Sequence, residues 1–133
     1  GYPAARERLL RAALDAGANM IVLSGDTHNA WAFDLVLDGT PAGAEFAAQS
    51  VTSPGYESQL AADPVQVAKA IAAGNSQLRW ADTSRRGYLK LELTPERARG
   101  EWTFVDTVLQ PSLAVSGTHT MLVEHGANRL NPL

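Results

Sequence analysis

Apolar residues recur along this chain at two different spacings, and the change of spacing marks its elements. Ala5, Leu9, Leu10, Ala13 and Leu14 return every three or four residues, which places them on one stripe of a helix. Pro3 suits the first turn, where its missing N–H leaves no bond unmade, and Gly17 suits the stop. Arg6, Glu7, Arg8, Arg11 and Asp15 fall mostly on the other face, with Glu7 and Arg11 spaced for an i,i+4 pair. The run Met20, Ile21, Val22, Leu23 then predicts a buried strand over 20–24. Helix, tight turn and apolar strand together predict an α/β fold.

Farther along, the spacing shifts toward two. Residues 31–37 read as extended, "DGTPAG" from Asp38 to Gly43 as a turn, and 45–51 as the returning strand of a hairpin. "TSPGY", Thr52 to Tyr56, is turn chemistry. Val65, Ala68, Ile71 and Ala72 form a stripe on a helix over 64–73, with Asp63 to cap it and Gly74-Asn75 to end it. Leu89, Leu91 and Leu93 alternate with Tyr88, Lys90 and Glu92, which predicts a strand with one face buried. "TPERARG" turns the chain and "EWTFVDTVL" alternates again, giving a second hairpin, and "THTMLVEHG" reads as a last edge strand. There is no internal repeat or low-complexity tract. Residues 1–133 read as one domain with no internal boundary.

Composition narrows the function classes. At 133 residues, 45% of them hydrophobic and 19% charged, the chain has enough apolar material for one core. A net charge of -3 supplies no basic surface for nucleic acid. No run of about 18 apolar residues is present to span a membrane. With no cysteine, any metal must be held by carboxylates, imidazoles, amides or backbone oxygens, donors that suit calcium, magnesium, manganese or iron. The first residues, "GYPAARERLL", carry neither an initiating Met nor a signal-peptide core, so the expectation is a chain that starts partway through a larger protein.

Candidate chemistry concentrates in Gly25-Asp26-Thr27-His28, at the carboxyl end of the first predicted strand. Ligands of open α/β sheets gather beyond such strand ends. Gly25 is expected to make the sharp turn, and the i,i+2 spacing can aim Asp26 and His28 into one space. A carboxylate and an imidazole there can bind one metal or bridge toward a second, and two-metal sites stabilise the attacking and leaving oxygens of a displacement at phosphorus. The same residues can equally form a solvated turn, because D-x-H alone is a weak motif. His119 and His125 are expected at the surface. Arg85 and Arg86 can clamp a phosphate or be solvated. Trp31, Trp80 and Trp102 are expected in the core or on a sheet face, with Trp31 near enough to His28 to wall a pocket. Ser53 lacks the G-x-S-x-G context of a nucleophile elbow.

Four stretches, "GYPAARERLL", "IVLSGDTHNAW", "EFAAQSVTSPG" and "RRGYLKLELTPERARGEWTFVDTV", occur in an order that resembles the C-terminal part of PhoD-like alkaline phosphatases, members of the calcineurin-like metallophosphoesterases. The resemblance covers roughly Gly1 to Val108. It implies part of an αββα sandwich with mixed and antiparallel strands and two or three helices. It implies that Asp26 and His28 are metal ligands, in a centre using calcium with iron, in a phosphomonoesterase or phosphodiesterase acting on phosphate esters outside the cytoplasm. Asn29 and the segment Asn75 to Leu78, "NSQL", take no role from it. The superfamily's upstream motifs, D-x-H, G-D-x-x-D and G-N-H-D/E, do not occur before Gly25. The chain alone is therefore expected to be inactive and, with strand faces uncovered, to self-associate. The competing reading is a non-catalytic β-rich module for binding or assembly.

Overall fold

The computed structural model describes every residue from Gly1 to Leu133. Helix α1, Pro3–Asp15, begins at its proline and ends before Gly17, whose φ of 60° is left-handed and costs a glycine little. Leu10 is its buried anchor, set against Leu35, Leu37 and Ala42. Strand β1, Met20–Ser24, follows at once. Strands β2, Ala30–Leu37, and β3, Thr40–Ala47, form the hairpin.

That hairpin is tighter than the sequence pattern suggests. Its turn is Asp38-Gly39 alone, with φ of 50° and 79°, the two positive values that a two-residue type I′ turn demands. Pro41 argues against a strand beginning at Thr40, since it brings no N–H to a ladder. The ladder accommodates it with a bulge: Val36 pairs with Pro41 and Leu35 with Gly43, so Ala42 is the extra residue. The strand then stops at Ala47 rather than 51, because the chain leaves the sheet for the loop toward Tyr56.

Strand β4, Leu78–Asp82, completes a sheet in the order β1-β3-β2-β4. Its short mixed pattern gave no clear signal. Helix α2, Pro64–Ala73, precedes it, and the Asp63 carboxylate accepts the Val65 N–H at 2.8 Å as the cap. Strand β1 is parallel to β3 and lies at the sheet edge, with Leu23 58% exposed. This corrects the expectation of a buried strand: an unbroken apolar run is what an interior parallel strand needs, and here only one edge of β1 is paired.

The second sheet has the order β5-β6-β7-β8, all antiparallel, from Gly87–Leu93, Arg97–Val105, Val115–Glu124 and Asn131–Pro132. Strand β7 begins earlier than "THTMLVEHG" suggests, and it is not wholly an edge, since β8 pairs with Met121 and Leu122. The two sheets close on Ala30, Ala32, Ala44 and Phe46 from the first and Ala98, Trp102, Phe104, Met121 and Val123 from the second. Gly100 permits the closure, because a Cβ there would run into the Phe46 ring. Trp102 is fully buried, and its indole N–H donates to the Ala47 carbonyl at 2.9 Å, so the largest core side chain also ties one sheet to the other.

Both helices lie on the outer side of the first sheet: α1 against Leu35, Leu37 and Met20, α2 against Trp31, Leu78 and Ala81. The fold is an α/β sandwich with two helices. Exposed apolar side chains gather at Val51, Leu109, Leu113 and Val115 and at the β1 edge. The open face of β5 carries Tyr88, Lys90 and Glu92. None of the helices is long and apolar enough to cross a membrane.

Candidate functional site

Three connections meet at one end of the sandwich. They are the turn between β1 and β2, the loop leaving β3, and the link from β4 to β5. Ala48 donates its N–H to the Ser24 carbonyl at 2.9 Å, Ser50 to that of His28 at 3.4 Å, and Gly87 to that of Ser50 at 3.0 Å. The backbone of one loop thus serves as the edge for the next.

The sharp turn predicted for Gly25 is made elsewhere. The left-handed residues are Asp26, φ 70°, and His28, φ 61°, conformations that side chains other than glycine adopt at a cost and that cluster at functional sites. Both residues are exposed. Thr27, between them, accepts the Trp31 indole N–H on its hydroxyl at 2.7 Å, which pins the turn to the first strand residues of β2. Trp31 is buried, in edge contact with Tyr56 at 5.9 Å. It is a core residue, packed with Ala47 and Leu78.

The His28 ring is oriented. Its Nδ1 lies 2.9 Å from the Pro54 carbonyl oxygen. A carbonyl oxygen only accepts, so Nδ1 is the donor here, and in the neutral ring that leaves the lone pair on Nε2. Metal-ligating histidines are held in this way, with one ring nitrogen donating to a carbonyl while the other binds. Asp26 and His28 are an exposed oxygen donor and an exposed nitrogen donor two residues apart on one turn. No three His, Cys, Asp or Glu side chains of this chain group closely enough to hold a metal by themselves.

Beneath this exposed pair the packing is polar and closed. Asn29 is fully buried; its amide donates to the Thr27 carbonyl at 2.6 Å, and its oxygen accepts the Tyr56 N–H at 3.1 Å. Its side chain turns inward, into the packing beneath the turn. Arg86 is 6% exposed. Its Nη1 donates to the His28 carbonyl at 2.5 Å, the Ser50 hydroxyl at 3.0 Å and the Ser53 carbonyl at 2.9 Å, and its Nη2 to the Glu57 carboxylate at 3.0 Å. Glu57 in turn accepts the Gly55 N–H with both oxygens. A Cβ on Gly55 would collide with the Asn29 amide oxygen, Arg86 and Glu57, so this glycine is required for close approach.

The other candidates separate from this site. Arg85 and Arg86 point to different partners. Arg85 donates to Asp82 at 2.7 Å and lies 3.8 Å over the Phe104 ring, so the two guanidiniums do not form a phosphate clamp. His119 is not a surface residue: it is half-buried and stacked on Trp80, ring centroids 3.9 Å apart. Burial pushes its pKa below the usual histidine range, with Arg85 adding to the effect and Asp82 opposing it. His125 is exposed, with its Nδ1 3.0 Å from the Asn19 amide nitrogen. Gln77, in the "NSQL" segment, accepts from Arg6 and from the Val36 N–H, a link between α1 and the sheet. Pro54, Glu57 and Arg86 were the residues hardest to read in advance; the Pro-Gly pair and the double arginine marked their places, but not their convergence.

Comparison with known proteins gives the family. The family model of PhoD-like phosphatases matches residues 1–102. The chain belongs to the PhoD-like phosphatase family. It is 32% identical over 122 residues to alkaline phosphatase D of Bacillus subtilis (strain 168), a match covering 87% of this chain and 20% of that protein. A solved structure titled "Structure of PhoD" superposes with a TM-score of 0.78 at 25% identity, over 99% of this chain and 26% of that one. The chain thus spans about a fifth of the PhoD-like relative's length. The family match includes the Gly25–His28 turn, Pro54 and Arg86. The likeness to the solved structure extends past residue 102 into β7 and β8.

Proposed function

We propose that residues 1–133 are the C-terminal part of a metal-dependent phosphatase domain, and that they supply Asp26 and His28 as ligands to its metal centre. The single observation carrying this reading is the His28 ring: its Nδ1 is engaged by the Pro54 carbonyl, which leaves Nε2 as the nitrogen able to bind a cation, two residues along the turn from the exposed Asp26. The donor set fits cations that accept oxygen and imidazole nitrogen, and calcium with iron is the combination the family resemblance favours. When bound, such ions supply charge neutralisation at the oxygens of a phosphoryl group. This chain's own part is to hold two donors at fixed places; the His28 tautomer and the left-handed turn are set before any cation arrives. The substrate is a phosphomonoester or phosphodiester, and the place of action is outside the cytoplasm. Two donors do not fill a coordination shell, so the chain by itself turns over no phosphate ester.

A chimera tests this. The matching segment of Bacillus subtilis alkaline phosphatase D is replaced by this chain, and hydrolysis of p-nitrophenyl phosphate and of its diester is followed. The expected outcome is measurable hydrolysis that falls at least a hundredfold when Asp26→Ala and His28→Ala are introduced together. A double variant hydrolysing as fast as its parent chimera would remove the ligand assignment and favour the β-rich assembly module instead.

A further inference from the structure

Arg86 is the one fully embedded cation of this chain, and nothing in a phosphatase reading requires it. A guanidinium taken out of water is costly unless every donor is paired, and here the pairing is incomplete: Nε is buried and has no partner. An apolar side chain would avoid that cost only by leaving the His28 and Ser53 carbonyls and the Glu57 carboxylate without their donor. What Arg86 does have is a particular choice of acceptors. Nη1 holds the carbonyl of His28 itself and the carbonyl of Ser53, the residue before Pro54. Nη2 holds Glu57, whose carboxylate grips the N–H of Gly55, the residue after Pro54. The Pro54 carbonyl is the group that orients the His28 ring. Both ends of that hydrogen bond are therefore fastened to one planar, multi-donor group.

We propose that Arg86 is the positioning residue of the site: it locks the backbone of His28 to the Ser53–Gly55 turn so that the Pro54 carbonyl fixes the ring as the Nδ1–H tautomer. Arginine suits this task because its rigid fork presents several donors in fixed directions, whereas lysine offers a single mobile point. Gly55 is part of the device, since a Cβ there would force apart Asn29, Arg86 and Glu57. The functional meaning rests on His28 being a metal ligand; the geometry is tested without any metal.

The experiment is long-range proton–nitrogen NMR of the histidine rings in the metal-free chain, at alkaline pH where imidazoles are neutral. The wild type is expected to show His28 wholly as the Nδ1–H form. Arg86→Lys is expected to shift His28 into a mixture with the Nε2–H form while the amide signals of β6 and β7 stay in place. Arg99→Lys, which alters an arginine–carboxylate pair with Glu101 on β6, should leave the ring unchanged. If Arg86→Lys does not fold, Gly55→Ala reads the same signal, because it leaves the guanidinium and all its acceptors in the chain. A His28 tautomer unaltered in a folded Arg86→Lys or Gly55→Ala chain overturns the proposal. Loss of the lock together with intact activity of the chimera would detach the device from the ligand role. An intact response beside a failed chimera would leave the device standing and remove the ligand reading.

Discussion

Trp102 and His28 use burial in opposite ways. Trp102 is fully buried between two sheets, with Phe46 at 5.7 Å and Trp80 at 4.9 Å, and its one polar atom is satisfied by Ala47. His28 is exposed, while its backbone carbonyl is held by the buried Arg86. The first region gains stability from area removed from water. The second places polar groups under an exposed tip, at a net gain per hydrogen bond of only about 1 kcal/mol, and holds Asp26 and His28 in left-handed conformations. The lesson is a division of labour: the inter-sheet core sets whether the chain folds, and the loop end sets where two donors point.

The sharpest way to break that division is Trp102→Ala. It removes the central ring and leaves the Ala47 carbonyl unpaired, and the expected loss is about 3–5 kcal/mol in urea unfolding. A loss below about 1 kcal/mol would mean that the sheets do not depend on this contact.

A smaller effect comes from His119, at the rim of the same core. Burial lowers its pKa in the folded chain, so as pH falls the unfolded imidazole takes a proton first. Stability is then complete above about pH 6.5, the ordinary histidine value, and declines through the window beneath it until the folded ring also protonates. Unfolding midpoints of the wild type and His119→Gln, measured from pH 8 to pH 5, should diverge only in the acid half. Parallel curves would contradict the buried stack on Trp80.

The smallest expected effect is at the tip. Asp26 accepts no hydrogen bond from the chain and sits at φ 70°, so Asp26→Gly should change stability by no more than about 0.5 kcal/mol, and any change should be favourable. A loss above about 2 kcal/mol would show that the tip carries the fold and blur the comparison.

How much of this was legible beforehand follows the same division. The helices over 3–15 and 64–73, the Asp63 cap and the alternating strand at Leu89 and Leu91 were visible because local periodicity and capping decide them. Strand β4 was missed because a five-residue strand is recognised by the partner it pairs with, not by its own pattern. The early start of β3 was missed because Pro41 hides behind a bulge. Asp26 and His28 stand out as a motif, and their left-handed turn does not, since the pattern assigns the sharp turn to Gly25. By sequence Arg86 is one of two neighbouring cations that can clamp a phosphate or be solvated. Its acceptors come from residues 28, 50, 53 and 57, and no local reading brings those together.

The most direct measurement for the donor pair is paramagnetic broadening by manganese ion in the nitrogen-labelled chain. Even a weak site made of two ligands places the ion next to the residues that hold it. At manganese concentrations far below that of the protein, the signals of Asp26, Thr27 and His28 should broaden first, ahead of His125 and of the exposed carboxylates at Glu92, Glu96 and Glu124. The Asp26→Ala, His28→Ala chain should lose that selectivity. Broadening that begins at those other carboxylates, or that is the same in the double variant, would contradict the assignment of Asp26 and His28 as the metal ligands of this chain.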